Sequence, residues 1–256
     1  MKQKPIHNYI SAKERRYEYI DAVRGLAVVG MIAYHFLFDV FYLYGLDPDF
    51  YFDPQFALLQ RVVSFSFFIV SGASLNFSSK PIQNGILLNL CGLGVTLVTL
   101  AFLPEAPILY GVLTCLGISM IIAGLMKKPL SKLNPVAAMT VTLILFVFTY
   151  GIQDGFIGVI STPLIRLPSW LYGSRYLALI GLPHYGFFSS DYYPMVPWVF
   201  LFLFGFFLWR FIKGHGFDGN FRSRVPVLGF IGRHSLIIYL AHQVALYGLC
   251  MLIFGY

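Results

Sequence analysis

Four polar side chains interrupt the first long apolar run of the chain: Asp21, Arg24, His35 and Asp39, all within Tyr19–Asp39. An imidazole with a carboxylate four residues on can act as a general base that a second group orients. A guanidinium with a carboxylate three residues before it is a rigid fork suited to phosphate or carboxylate oxygens. At ~100° per residue, Arg24 falls about 20° from His35 around the helix axis, and Asp21 and Asp39 each about 40° away. All four therefore share one stripe, while Leu26, Val29, Ile32 and Phe36 cover the other faces. An ionisable residue at the centre of a membrane helix costs at least ~2.5 kcal/mol, so a shared stripe is expected to face a polar cavity rather than lipid. A static ion pair with a packed histidine is the structural alternative. A proton-coupled carrier and a non-catalytic scaffold are the functional ones.

The elements that must position this stripe are membrane helices. The chain has 256 residues, 58% of them hydrophobic and 11% charged, against about 25% charged in soluble domains. Its 26 Phe and 17 Tyr suit a lipid-embedded protein with aromatic interfaces. The net charge of +7 is spread between apolar runs, which speaks for positive loops at a membrane and against a nucleic-acid surface. Seven segments reach spanning length, near 19–43, 56–78, 83–103, 107–126, 135–153, 192–213 and 227–254. The expected architecture is all-α: a single polytopic membrane helix bundle of about seven transmembrane helices over residues 1–256.

Lys and Arg set the expected orientation. With residues 1–18 as a cytoplasmic N-terminal segment, Lys2, Lys4, Lys13, Arg15, Arg16, Lys80, Lys127, Lys128, Lys132, Lys213, Arg222 and Arg224 fall inside, and only Arg166 and Arg175 outside. Asp21 and Arg24 then lie near the cytoplasmic face, and His35 about 16 Å deeper at ~1.5 Å rise per residue. Lys127, Lys128, Arg222 and Arg224 could also draw in an anionic donor, although positive-inside bias explains them more simply. Cys91, Cys115 and Cys250 lie inside spans and form neither a disulfide framework nor a metal-ligand spacing, so no metal is expected.

Other polar groups qualify as substrate contacts. Arg61 opens the second span at its outer end, ahead of Ser64, Ser66, Ser71, Gly72 and Ser74; it could snorkel, pair with Asp39 or meet a substrate oxygen. In the last span Ser235, Tyr239 and His242 fall within about 60° of each other, with Arg233 on the opposite side at the cytoplasmic end. The long outer loop 154–191 contains Trp170–Leu182, apolar yet too short to cross, and is expected to include a re-entrant or interfacial piece. Asp191 stands just ahead of span six, placed either to cap that helix or to contact an outer substrate.

Four strings together resemble the bacterial branch of the heparan-α-glucosaminide N-acetyltransferase catalytic-domain family. They are Tyr19-Ile-Asp-Ala-Val-Arg-Gly-Leu-Ala with His35 eleven positions after Arg24, Ile108-Leu-Tyr-Gly-Val-Leu, Ser190-Asp-Tyr-Tyr-Pro-Met-Val-Pro-Trp198, and Leu228–Gln243. The resemblance implies an enzyme of a bacterial inner membrane that moves an acyl group, acetyl above all, from cytoplasmic acetyl-coenzyme A to an extracytoplasmic glycan or lipid-linked sugar. On the residue reading, His35 and Asp39 form the catalytic pair, Asp21 and Arg24 stand at the cytoplasmic mouth where the donor phosphates would arrive, and Arg233 is a further donor-side candidate. Arg61, Asp191, Trp198, Ser235, Tyr239 and His242 would lie on the acceptor side, with self-association left open. Lysosomal relatives place their key histidine after the first span, where this chain reads Tyr44-Gly-Leu-Asp-Pro-Asp-Phe-Tyr51. The base role therefore falls to His35 by similarity to the wider membrane-acyltransferase motif. Thr114 stands where the bacterial branch commonly has a histidine.

Overall fold

A computed structural model describes residues 17–222 and 225–255. Lys2, Lys4, Lys13, Arg15, Arg16 and Arg224, counted above as cytoplasmic, lie outside the described residues. Nine α-helices are present among those described: α1 (Glu18–Leu37), α2 (Pro54–Ser74), α3 (Pro81–Phe102), α4 (Val112–Leu125), the single turn α5 (Lys127–Leu130), α6 (Pro135–Thr149), α7 (Met195–Gly214), α8 (Pro226–Arg233) and α9 (Ser235–Phe254). One two-stranded hairpin, β1 (Phe156–Val159) and β2 (Thr162–Arg166), is the sole sheet there. Six segments are long and apolar enough to cross a membrane: Glu18–Leu43, Pro54–Ser74, Pro81–Phe102, Pro135–Asp154, Met195–Gly214 and Ser235–Phe254. The chain is an all-α, multi-pass integral membrane protein.

Local chemistry starts and stops these helices. Pro54, Pro81 and Pro135 each occupy a first helical turn, where a missing N–H costs nothing. Asp53 Oδ1 accepts from Gln55 N at 2.7 Å, and Asn134 Oδ1 from Val136 N and Ala137 N at 2.9 and 3.1 Å, so both cap orphan donors. The Lys127 ammonium donates to Leu75 O (2.8 Å) and Ser78 O (3.1 Å), closing the carbonyl end of α2. Its partial burial there lowers the lysine from its ordinary range.

The core forms around α7, which packs against α2, α4 and α6. Phe202, Phe206 and Phe207 are buried there, and Phe65, Phe68, Phe146, Tyr150, Tyr193 and Trp198 make a ring cluster. Trp198, an acceptor-side candidate by resemblance, thus belongs to this core. Glycine permits two close crossings. A Cβ on Gly72 would strike the Phe202 carbonyl of α7, and one on Gly232 of α8 would strike the Asp21 carbonyl of α1. The second crossing clamps α8 across the N-terminal half of α1. The periphery is apolar: Leu87, Leu90 and Leu97 of α3 and Ile237, Val244 and Leu252 of α9 are exposed, as a lipid-facing surface requires.

Three segments depart from the sequence reading. The fourth expected span, 107–126, keeps only the 14 residues of α4, about 21 Å of helix against a hydrocarbon core of ~30 Å. Residues 106–111 instead run as non-helical chain with bends at Ala106 and Tyr110, Ile108 N donating to Thr99 Oγ1 of α3 (3.0 Å). Leu109 N and O bond Ser189 Oγ, Ser190 N donates to Pro107 O, and Tyr193 N to Tyr110 O. Non-helical backbone at such depth persists only where the protein satisfies its polar groups, and here it does. The seventh expected span, 227–254, breaks at His234 into α8 and α9. Loop 154–191 folds as the hairpin, with Phe156 opposite Arg166, and two single 3-10 turns, Ser169–Tyr172 and Leu177–Ile180, in place of one apolar piece.

Candidate functional site

The α1 stripe divides into two sites. Near the N-terminal end of α1, the Arg24 guanidinium donates from Nη1 to Asp21 Oδ1 at 3.0 Å and to Gly232 O at 3.5 Å, and from Nη2 to Ser74 Oγ. Asp21 is buried at 4% exposure, while the Arg24 side chain keeps 19%. Ser74 in turn donates to Val70 O at 2.7 Å, so three elements hold one fork. Beside it opens a cavity of about 440 Å³ lined by Tyr17, Ile20, Asp21, Arg24, Ser74, Phe77, Ser78, Asn84 and Met120. A partly exposed guanidinium with hydroxyl and amide groups along one wall can bind an anion.

His35 does not line that cavity. Eleven residues along α1, its Nδ1 donates to Met31 O at 2.9 Å, because a carbonyl can only accept. Nε2 is thereby left as the basic nitrogen. The neighbour across the interface is His242 of α9, ring centroids 4.8 Å apart and planes at 67°. His242 repeats the arrangement: Nδ1 donates to Tyr239 O at 2.5 Å, and Nε2 is buried without a hydrogen-bond partner.

Asp39 does not orient the His35 imidazole, contrary to the sequence expectation. Beyond Leu37 the helix widens into the π-turns of Phe38–Leu43, which carry residue 39 off the regular i+4 position. Its fully buried carboxylate accepts from Gln243 Nε2 at 3.1 and 3.3 Å. Nor does Asp39 pair with Arg61, which is exposed and without an ion pair among the described residues.

Asp191 caps a helix, though not the one it precedes in sequence. It caps α4 rather than α7: Oδ2 accepts from Val112 N (3.3 Å) and from Tyr239 Oη (3.4 Å). Burial pushes this carboxyl up to about 6. A void of about 10 Å³ beside it is lined by Gly92, Gly111, Thr114, Asp191 and Tyr239 among others, roughly the space of one water. Tyr239 thus links the histidine pair to the α4 terminus. Ser235 makes no side-chain hydrogen bond among the described residues, and Arg233 is exposed outside the cavity lining. On the donor side it is the backbone of Gly232, not the Arg233 guanidinium, that stands beside Arg24.

Gln243, Ser74 and Asn84 were not singled out from sequence. Gln243 left a usable signal: an amide in an apolar helix, four residues after Tyr239 and so about 40° from it. Ser74 and Asn84 left none, since small and amide residues at helix ends are usually packing or capping groups.

Residues 16–244 match the family model described as Heparan-alpha-glucosaminide N-acetyltransferase, catalytic. No curated protein and no solved structure matches the chain.

Proposed function

Since the chain belongs to the heparan-α-glucosaminide N-acetyltransferase catalytic-domain family, a family of membrane acetyltransferases, we propose that it transfers an acetyl group from acetyl-coenzyme A on the cytoplasmic side to a glycan or lipid-linked sugar on the other face of a bacterial inner membrane. One observation carries this reading. A single helix presents an anion-binding fork to an open cavity and, eleven residues further, an imidazole whose basic nitrogen is free.

In this reading Arg24 receives a coenzyme A phosphate, Asp21 and Ser74 hold the guanidinium, and Tyr17, Ser78 and Asn84 supply further polar contacts. The cavity takes the phosphate end, and the thioester arm extends along α1 toward His35, a distance of about 16 Å at ~1.5 Å per residue. The acceptor hydroxyl or amine attacks the thioester carbonyl. A bond to the carbonyl carbon forms, the carbon–sulfur bond breaks, and the acceptor proton goes to His35 Nε2. Asp39, fully buried and held by Gln243, lies one turn beyond His35 without touching it. A transient acyl-imidazole on His35 fits the same residues; trapping of a labelled acyl-enzyme would select it.

A carrier is the second reading, favoured by the α8–α9 break and by the non-helical stretch ahead of α4, since discontinuous helices build transporter sites. Purified protein decides between them. Thioester turnover dependent on an added sugar acceptor supports transfer, whereas ion-coupled uptake into proteoliposomes without turnover supports the carrier.

A further inference from the structure

His242 is a half-buried titratable group, with its Nε2 buried, that the mechanism above leaves unused. It shares its surroundings with His35 in a particular way. Both rings commit Nδ1 to a backbone carbonyl, Met31 O for one and Tyr239 O for the other. Both are therefore fixed as Nδ1–H tautomers with a basic Nε2. The rings meet at 4.8 Å, and His242 Nε2 is buried with nothing to accept from. A buried acceptor left unpaired costs about 1–3 kcal/mol, so its persistence calls for a use.

The surrounding groups supply no competing partner. From α1, Tyr34 sets its ring edge-on to His35 at 5.3 Å, and Asp39 is occupied by Gln243. From α9, Tyr239 lies 5.5 Å from His242 and spends its hydroxyl on Asp191, which is otherwise held by the start of α4. No carboxylate or cation bonds either imidazole among the described residues. Two imidazoles this close resist carrying two positive charges, so they titrate as a unit.

We propose that His35 and His242 form one proton-sharing pair, with His242 the positioning partner of the base. The inference rests on the acyl-transfer reading. The proton leaving the acceptor enters at His35 Nε2 and is shared with His242 Nε2. It then returns to the thiolate released from the donor, so the pair ends each turnover neutral. His242 acts through His35 and contacts neither the donor cavity nor Arg24.

The test is His242→Gln, which keeps an N–H donor but no basic nitrogen, compared with His35→Ala and the double variant. His242→Gln is expected to lower kcat by about tenfold to a hundredfold, with the donor KM unchanged. Added to His35→Ala it should cost nothing more, because residues acting as a unit are non-additive. At low pH log(kcat/KM) should fall with a slope of one, because the pair takes up its first proton as a unit, and the midpoint of that fall should move in His242→Gln. Additive losses, or a midpoint that stays put in His242→Gln, overturn the pair. If the parent protein shows no turnover, the acyl-transfer reading fails, and ¹⁵N spectra of labelled histidine judge the pair alone. Titration of His35 that changes on replacing His242 supports it; independent titration sinks it.

Discussion

At the Arg24 end of α1 a charged group is held by three elements yet open to a cavity, while at the His35 end two imidazole rings pack edge-to-face between α1 and α9. The difference follows from what each group needs. A guanidinium stays charged in any environment, so it must have paired oxygens and water at hand. An imidazole can be buried in its neutral form, with one nitrogen satisfied by the helix backbone and the other kept basic. The first end holds a charge; in the proposed reaction, the second exchanges a proton.

The strongest way to break that contrast is His35→Ala. Turnover should fall about 10²–10⁴-fold while coenzyme A affinity, measured calorimetrically, stays within error; equal losses in both would merge the two ends into one site. Arg24→Ala should do the reverse and weaken coenzyme A binding by about 10–100-fold, the worth of a charge-assisted hydrogen bond. Arg24→Lys should recover only part of that, since it cannot keep the fork to Asp21 and Ser74. Unchanged affinity in Arg24→Ala would move the donor elsewhere.

Gln243→Leu sharpens the second end. It removes the amide from a fully buried Asp39, so stability in mild detergent should drop by about 1–3 kcal/mol. Asp39→Asn in that background should restore part of the loss. The smallest effect belongs to Asp191. Its carboxyl is pushed up to about 6 by burial, so the folded state binds this proton more tightly than the unfolded one. Its contribution is full at low pH and is lost as pH rises from about 4 to 6, on the order of 1 kcal/mol after screening. Asp191→Asn should flatten the Tm–pH curve across that window; an unaltered curve would show that Asp191 is not the group titrating there.

Some of this was legible in the residues. Asp21 and Arg24, three apart in a regular helix, form the pair their spacing implies, because i,i+3 neighbours meet on an α-helix whatever surrounds it. The same rule failed for His35 and Asp39, where the widening at Phe38 rotates the second residue toward Gln243. The fourth expected span is cut short to α4 for a related reason. Hydropathy over 107–126 records apolarity, whereas helix formation before Val112 is lost to the bonds that Ser189, Ser190 and Tyr193 make with that segment. Trp198 shows the remaining ambiguity: an aromatic beside a polar motif reads equally as ligand contact or core, and packing against Phe65, Phe68 and Phe146 made it core.

The amino-acid sequence alone determined that this chain spans a membrane many times, and that one helix carries Asp21, Arg24 and His35 along a common face. Hydropathy and the 3.6-residue period are local properties and need no partner. Tertiary structure decided which groups that face meets: Ser74 and Gly232 beside Arg24, His242 beside His35, Gln243 on Asp39. Those partners lie dozens to hundreds of residues away, and only the packing of α2, α8 and α9 against α1 brings them within hydrogen-bonding or ring-contact range.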